Sequence, residues 1–200
     1  MPFVTGVLLA AGKSRRLAHH HPKQLLPVEG EPLVRRMARQ ALDSNLCEVV
    51  VILGFSSSRI EPFLSDLKVV ITVNPAYNSG LSSSVKLGIQ SLNPATQAAI
   101  FIPADQPFLS AEVINQLIRK YEDSGARIVQ PMCRERRGSP LLFDHSLFSE
   151  LLTLKGDEGG RQILAHHRQD LATVSLSSEL PLLDIDTMED YTSLIQGNKL

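Results

Sequence analysis

The sequence is poor in cysteine, nearly balanced in charge and free of long apolar runs. Its two cysteines, Cys47 and Cys133, lack metal-ligand spacing, and Cys47 leads an apolar run where a buried, inert thiol is expected. A net charge of −1 gives no electrostatic case for a nucleic-acid or membrane partner. Because neither a signal peptide nor an apolar run of membrane-spanning length is present, we expect a cytoplasmic protein.

What the chain has instead is an alternation of strand-like and helical patterns. Strands are predicted at residues 3–10, 48–53, 68–73, 98–102, 127–131 and 172–176. Helical spacing follows Pro32, which suits a first helical position, and Ser110, which suits an N-cap. Thr187–Asp190 resembles a capping box before a last helix. The alternation predicts βαβ crossovers, hence an α/β fold with a mostly parallel sheet and helices on both faces. No linker interrupts the chain, so one domain over 1–200 is expected.

The first polar loop has the composition of a phosphate-binding loop. A strand-like run ends at Gly12, and four cations follow in the sequence: Lys13, Arg15, Arg16 and Lys23. Backbone N–H groups approach a ligand where Cβ atoms are missing, and cations neutralise polyphosphate charge. The loop therefore indicates a nucleoside triphosphate site, although a polar strand-to-helix turn with scattered cations is the alternative.

Two better-known phosphate motifs are excluded at this loop. A Walker A motif needs glycine five residues before Gly12, and the residue there is Val7. A Rossmann G-x-G-x-x-G motif fails because Ser14 and Leu17 stand at its second and third glycines. The adjacent His19, His20 and His21 are interpreted as a solvated loop, since consecutive side chains do not converge on one metal ion.

Carboxylates occur at two further places where strands end. Asp105 follows a buried strand in a turn stiffened by prolines, and so lies at the carboxyl edge of the predicted sheet. Asp184 and Asp186 are predicted on one side of a short strand, with Ile185 on the other. Mg²⁺ takes one or two carboxylates together with phosphate oxygens, so these residues favour a metal site beside the triphosphate. The alternatives are a plain turn at Asp105 and solvated aspartates beside a helix cap.

These motifs together resemble those of the MobA-like nucleotidyltransferases. Leu9–Arg16 with Lys23–Pro27 resembles their opening signature, and Pro103–Pro107 their metal-binding turn. Asp184–Asp190 resembles their closing motif. Three further segments make the chain most similar to the molybdenum cofactor cytidylyltransferases within the family: Gly80–Ser84, Gly138–Pro140 and Gly156–Arg161.

The resemblance implies a three-layer, Rossmann-like fold similar to the glycosyltransferase A fold. It implies transfer of CMP from CTP to the phosphate of molybdopterin, with Mg²⁺ as cofactor and pyrophosphate as the second product. A molybdenum hydroxylase or its chaperone is an implied protein partner. Another cytidylyl- or guanylyltransferase acting on molybdopterin or a sugar or polyol phosphate, or a non-catalytic carrier of the molybdenum cofactor, is the alternative.

The resemblance also assigns roles to individual residues. It implies that the catalytic residues are Arg16, Lys23 and Asp105, and that the metal ligands are Asp105 and Asp186. The implied nucleotide-binding residues are Leu9, Ala10, Ala11, Gly12, Ser14, Arg16, Lys23, Gly80, Ser82 and Ser84. The implied acceptor-binding residues are Gly138, Ser139, Pro140, Asp157 and Arg161, although Asp157 is equally well placed to cap a following helix.

The chain departs from the family pattern in two places. Arg16 is followed by Leu17 and Ala18 where Met-Gly is usual, and a residue with a Cβ disfavours a left-handed turn at Ala18. Position 139 carries serine where histidine is more frequent in the family, which bears on the acceptor contacts.

Overall fold

The computed structural model describes residues 1–13 and 22–196 of the chain. Its centre is a mixed β-sheet. Within those residues, eight strands form one sheet, in the order β10-β7-β9-β6-β1-β4-β5 with β8 attached to β7. The sheet strands are β1 (Val4–Ala10), β4 (Glu48–Leu53), β5 (Val70–Val73), β6 (Ala98–Pro103), β7 (Ile128–Cys133), β8 (Arg136–Arg137), β9 (Leu141–Asp144) and β10 (Leu171–Ser175). Strands β2 (Pro27–Val28) and β3 (Glu31–Pro32) form a separate antiparallel pair.

Helices connect most of these strands. The α-helices are α1 (Leu33–Leu42), α2 (Ser57–Ile60), α3 (Leu81–Gln90), α4 (Ala111–Ser124), α5 (Phe148–Leu151), α6 (Arg161–His166) and α7 (Met188–Tyr191). Short 3₁₀ turns lie at Lys23–Leu25, Glu61–Phe63, Tyr77–Ser79, His145–Leu147, Arg168–Asp170 and Leu180–Leu182, and a π-helical turn at Thr192–Gln196. None of the helices in the described residues is both long enough and apolar enough to cross a bilayer.

Strand direction determines which residues meet at one edge of the sheet. Strand β1 pairs in parallel with β4 and β6, and β5 and β10 extend the sheet in parallel with β4 and β7. Strand β9 alone of the long strands runs antiparallel, between β6 and β7. Its amino end therefore lies at the edge where β1 and β6 end, which brings Ser139 and Pro140 there.

Residue alternation along the strands builds two cores, one on each face of the sheet. Leu8 and Ala10 of β1 pack on one face with residues of α1 and α4, whereas Val7 packs on the other with residues of α3, α5 and α6. Both faces are thus covered by helices, as the α/β pattern predicts. The fold class predicted from the sequence is confirmed.

The local predictions are mostly confirmed and partly wrong. All six predicted strands form, each shifted by two residues or fewer at either end. Ser110 caps α4 by accepting from Val113 N at 3.4 Å, but Pro32 occupies the N-cap position of α1 and not its first turn. The capping box at Thr187 is confirmed, with Asp190 accepting from Thr187 N at 2.8 Å.

One strand was missed, and two local predictions are wrong. Strand β9 was not predicted, because a four-residue apolar run carries no clear period. The segment from Asp184 to Asp186 pairs with no strand and has no regular secondary structure, so the predicted short strand is wrong. Cys47 is exposed rather than buried, since it precedes β4 at the sheet's end.

Candidate active site

A cleft of about 1060 Å³ opens at the edge where the parallel strands end. One wall comes from the loop after β1 and from Lys23 and Gln24. The floor comes from the ends of β6 and β9, and the opposite wall from the segment leading into α6. Open α/β sheets place ligands at this edge, because the loops that leave the strands converge there.

The loop after β1 is fixed by hydrogen bonds to its carbonyl groups. Ala104 N donates to Leu9 O at 3.3 Å, and Phe55 N donates to Ala11 O at 3.1 Å. Gln24 Nε2 donates to both Ala10 O and Gly12 O at 3.1 Å each. Four consecutive carbonyls, two at the end of β1 and two at the start of the loop, are therefore held by donors from other segments.

A close approach between chain segments supports the same wall. A Cβ built on Gly54 would lie 2.7 Å from Tyr77 Cβ and 2.8 Å from Ala11 Cβ. Glycine at position 54 therefore lets Tyr77 pack beside the loop. Lys13 extends along this wall, with Nζ 5.5 Å from the centroid of the Tyr77 ring, a cation–π distance.

Three carboxylates and one lysine share the centre of the cleft. Lys23 pairs with Asp105, and its Nζ lies 3.6 Å from Asp186 Oδ1. Gln106 Nε2 donates to Asp184 Oδ1 at 2.9 Å, and Asp105 O accepts from Ile185 N at 2.9 Å. The segment holding Asp184 and Asp186 is thus tied directly to the turn after β6.

The electrostatics of this centre favour added positive charge. Burial raises the pKa of Asp184 above its ordinary value, and the nearby Asp105 carboxylate raises it further, while the hydrogen bond from Gln106 opposes the rise. Counted among the described residues of the cleft centre, Asp105, Asp184 and Asp186 outnumber the single cation Lys23. A cation in addition to Lys23 would relieve this repulsion.

The donor set fits a divalent cation that shares its coordination with substrate. Among the residues described, no group of three or more histidine, cysteine, aspartate or glutamate side chains is arranged to hold a metal by itself. Mg²⁺ commonly takes only one or two carboxylates and completes its shell with phosphate oxygens and water. Asp105 and Asp186 meet that requirement, because both line the cleft beside the loop.

The turn into α3 joins the two walls of the cleft. Gly80 has φ +96°, and a Cβ built there would overlap the backbone of Gly156. Ser82 N donates to Gly156 O at 3.0 Å. Asn74 Nδ2 donates to the hydroxyls of Ser83 and Ser84 at 2.9 and 3.0 Å, so these serines are already engaged within the protein.

The opposite half of the cleft has an apolar floor and a charged rim. Leu141, Phe143 and Leu151 line it, together with Asp157 and Arg161. A Cβ on Gly160 would lie 2.6 Å from Phe143 Cζ, so glycine lets the α6 entry approach the ring. Gly160 is the N-cap of α6 and no side chain caps it, so Asp157 does not serve as the cap.

The structure brings most of the predicted site residues to one cleft. Those that line it are Leu9, Ala11, Gly12, Lys23, Gly80, Ser84, Asp105, Ser139, Asp157, Arg161 and Asp186. Those that lie outside its lining are Ala10, Ser82, Gly138 and Pro140. Ser82 faces away because it is buried in the first turn of α3. The predictions for Ser14, Arg16 and the three histidines fall outside the described residues.

Several residues of the cleft were not assigned from the sequence. Gln24 lies within the opening signature, and nothing in that pattern separates it from its neighbours. Asp184 was predicted to lie beside the metal site, but the metal itself was assigned only to Asp105 and Asp186. Lys13, counted among the cations of the first polar loop but given no role of its own, also lines the cleft. Tyr77 carries a weak signal, as an aromatic residue just before the glycine turn at Gly80.

Comparison with known proteins agrees with this geometry. The profile of the MobA-like NTP transferase domain matches residues 6–171. Nicotine blue oxidoreductase of Paenarthrobacter nicotinovorans is 31% identical over 98% of each chain. Purine catabolism protein PucB of Bacillus subtilis (strain 168) is 29% identical over 95% of each chain. The crystal structure of Rv0371c from Mycobacterium tuberculosis H37Rv in complex with manganese has 22% identity, a TM-score of 0.82 and 98% coverage of both chains.

The chain shares with such solved structures a Rossmann-like α/β fold with a mostly parallel sheet. The profile match covers most of the chain, and the first of these relatives is similar over nearly its whole length. The chain belongs to the MobA-like NTP transferase family.

Proposed function

We propose that the protein transfers CMP from CTP to the phosphate of a molybdopterin-type acceptor, with a divalent cation, Mg²⁺, as cofactor. One observation carries the proposal: the loop after β1, whose carbonyls are held by hydrogen bonds, lies at the same edge of the sheet as Lys23, Asp105 and Asp186. Family membership supports a nucleoside triphosphate as the donor.

The reaction needs no nucleophile from the protein. A phosphate oxygen of the acceptor forms a bond to the α-phosphorus of CTP. The bond from that phosphorus to the oxygen bridging to the β-phosphate breaks, and pyrophosphate leaves with the electron pair. Transfers of this type depend on positioning and on electrostatic stabilisation, which are what the cleft residues offer.

Lys23 is the described cation best placed to stabilise the transition state. Its ammonium lies among the carboxylates, with a side chain only 14% exposed, so its charge acts in a partly dehydrated site. Negative charge grows on the leaving pyrophosphate as the bond breaks, and a fixed cation stabilises that growth. Arg16 is assigned the same role by resemblance.

Asp105 and Asp186 would hold the cation, which when bound neutralises triphosphate charge. Rv0371c, which has a similar fold, was crystallised in complex with manganese, which supports a divalent cation as the cofactor proposed for this chain. Gln106 and Lys23 position the acidic groups, and the contact from Ile185 N to Asp105 O holds the two acidic segments together.

The other half of the cleft suits a flat acceptor that carries a phosphate. Phe143 and Leu141 offer an apolar surface, and Arg161 and Asp157 stand at its rim. A ring with hydrogen-bonding edges packs on such a floor, and a guanidinium binds phosphate by charge-assisted hydrogen bonds. The methyl group of Ala11 lines the cleft and leaves less room for the base than glycine would, which favours a one-ring base.

Calorimetric titration with the four nucleoside triphosphates, with and without Mg²⁺, tests the donor. We expect CTP to bind in a Mg²⁺-dependent manner and about tenfold or more tighter than GTP. Equal binding of CTP and GTP would contradict the cytidylyl assignment and leave nucleotidyl transfer standing. Failure of every triphosphate to bind would contradict the proposal itself.

The name of one relative favours a second candidate, an oxidoreductase. An oxidoreductase that transfers hydride needs a redox cofactor such as a nicotinamide dinucleotide, which would bind in the same cleft. Titration with reduced and oxidised nicotinamide dinucleotides, beside the triphosphates, separates the two. Binding of the dinucleotide in preference to every triphosphate would support the oxidoreductase. A carrier of the molybdenum cofactor would bind the acceptor without needing a triphosphate.

A further inference from the structure

We infer that Gln24 is a positioning residue that holds the loop after β1 in the conformation that receives the triphosphate. The inference rests on the proposed function for its ligand, but the contacts stand without it. Gln24 is 1% exposed and lines the cleft, and its Nε2 lies 3.1 Å from both Ala10 O and Gly12 O.

The orientation of the Gln24 amide follows from chemistry. Carbonyl oxygens only accept hydrogen bonds, so the nitrogen and not the oxygen of the amide must face Ala10 O and Gly12 O. The NH₂ group has two hydrogens, one for each carbonyl. Among natural side chains of this length, an uncharged group with two hydrogens on one atom is found only in glutamine.

The position of Gln24 in a short helix explains its direction. Lys23–Leu25 is a 3₁₀ turn, in which consecutive side chains point about 120° apart. Lys23 reaches the carboxylates, Gln24 reaches the loop, and Leu25 packs against the core. One turn of chain thus supplies both the lysine that pairs with Asp105 and the amide that holds the loop carbonyls.

Pinning the carbonyls leaves the loop's donors for a ligand. Leu9 O accepts a hydrogen bond from Ala104 N, and Ala11 O accepts one from Phe55 N. The amide of Gln24 donates to the remaining two carbonyls, those of Ala10 and Gly12. The backbone N–H groups of residues 11–13 donate to no residue that the structure describes. A loop with its acceptors occupied and its donors available is suited to an anion.

The inference makes a prediction that a general packing role would not. Gln24→Met keeps the length of the side chain and removes both hydrogen bonds, so the buried carbonyl of Ala10 and the more exposed carbonyl of Gly12 both lose the Gln24 donor. We expect the loop to loosen in the protein without nucleotide, and the amide of Phe55, which donates to Ala11 O, to exchange about tenfold faster or more. We expect the affinity for the triphosphate to fall by about tenfold to a hundredfold.

Gln130→Met is the matched control. Gln130 is also 1% exposed, and its Nε2 has no hydrogen-bond partner among the described residues, but it lies in β7 and does not line the cleft. This variant should leave both Phe55 exchange and nucleotide affinity as in the wild type. An equal effect of the two variants would show that loss of any buried amide suffices, and would overturn the inference.

Gln24→Glu gives an independent readout. The introduced carboxylate faces two carbonyl oxygens and repels them, whereas its protonated form donates one hydrogen bond. The hydrogen-exchange rate of the Phe55 amide in this variant, divided by the wild-type rate at the same pH, should fall as the pH falls. This measurement tests the inference even if Gln24→Met does not fold.

The outcomes separate this inference from the proposed function. If the wild type binds no triphosphate, the proposed function fails, while Phe55 exchange still tests the role of Gln24. If the wild type binds a triphosphate and Gln24→Met matches it in exchange and in affinity, the inference fails and the proposed function stands.

Discussion

The two halves of the cleft are built in opposite ways. The half that we propose for the nucleotide (the nucleotide half) is polar, with the loop carbonyls held by Gln24 and the carboxylates linked to Lys23 and Gln106. The half that we propose for the acceptor (the acceptor half) has an apolar floor, and neither Asp157 nor Arg161 forms an ion pair with any described residue.

The contrast indicates a division of labour. Preorganised polar groups cost no rearrangement when charge develops, so the first half is suited to the chemical step. An apolar floor with charges left for a ligand is suited to selecting a substrate by shape and by a few polar contacts. Changes in the first half should lower rate for any acceptor, and changes in the second should alter acceptor affinity.

The largest effect is expected at Asp105. Asp105→Asn keeps the side-chain shape but removes a charged ligand, so single-turnover transfer should fall by about 10³-fold or more. Circular dichroism should show an unchanged fold, and Asp123→Asn, an exposed change on α4, is the control. Near-normal turnover by folded Asp105→Asn protein would remove this residue from the account.

A smaller loss is expected at Lys23. Lys23→Ala should lower kcat by about 10²–10³-fold with less change in KM, because the lysine charge stabilises the negative charge that develops on the leaving pyrophosphate in the transition state. Lys13→Ala provides the comparison, since Lys13 lines the same wall over Tyr77. Steady-state kinetics of both variants decide the assignment, and a larger loss for Lys13→Ala would reverse it.

The acceptor half should respond differently. Arg161→Gln should raise the KM for the acceptor by about tenfold, since a charge-assisted hydrogen bond to phosphate is lost. CTP affinity should not change. Arg168→Gln, an exposed change outside the cleft lining, should alter neither constant. A loss of CTP affinity in Arg161→Gln would erase the division between the halves.

The smallest effect concerns His167, which ties α6 to α5 beneath the acceptor half. Its Nε2 lies 2.6 Å from Glu150 Oε2 and its Nδ1 3.1 Å from Asp170 Oδ2. The Glu150 and Asp170 carboxylates raise the pKa of His167 above its ordinary 6.5, while nearby Arg127 opposes the rise. Below pH 6.5 folded and unfolded forms both carry the proton, so the stabilisation is complete there.

As the pH rises from 6.5 through the raised pKa, the folded protein loses that proton and the stabilisation with it. The free energy of unfolding of the wild type should therefore fall by about 1 kcal/mol or less over this window. Urea unfolding of the wild type and of His167→Gln at several pH values measures it. Parallel pH dependence of the two proteins would contradict the role of the ion pair.

Much of the fold followed from periodicity, because its strands and helices bury continuous or alternating faces. Strand β9 did not, since Leu141–Asp144 is short and its place between β6 and β7 depends on pairings distant in sequence. A local pattern carries no record of such pairings. The same strand brings Ser139 to the cleft, so the missed element is also the one that shapes the acceptor half.

The site was predictable where residue type alone signals chemistry. Asp105, Asp186 and Lys23 lie together as charge and strand ends suggested. Ser82 was assigned to the nucleotide but lies outside the cleft lining, because its place in the first turn of α3 and its bond to Gly156 O depend on the tertiary fold. Gln24 was missed for a related reason: a neutral amide signals nothing until its partners are known.

Pyrophosphate release tests the central claim most directly. Purified protein is mixed with Mg²⁺, a molybdopterin acceptor and each nucleoside triphosphate in turn, and the acceptor product is analysed by mass spectrometry. The account predicts pyrophosphate release with CTP, dependent on both the metal and the acceptor, and an acceptor whose mass has increased by one cytidylyl group. Absence of pyrophosphate and of any nucleotidylated acceptor with all four triphosphates would contradict it.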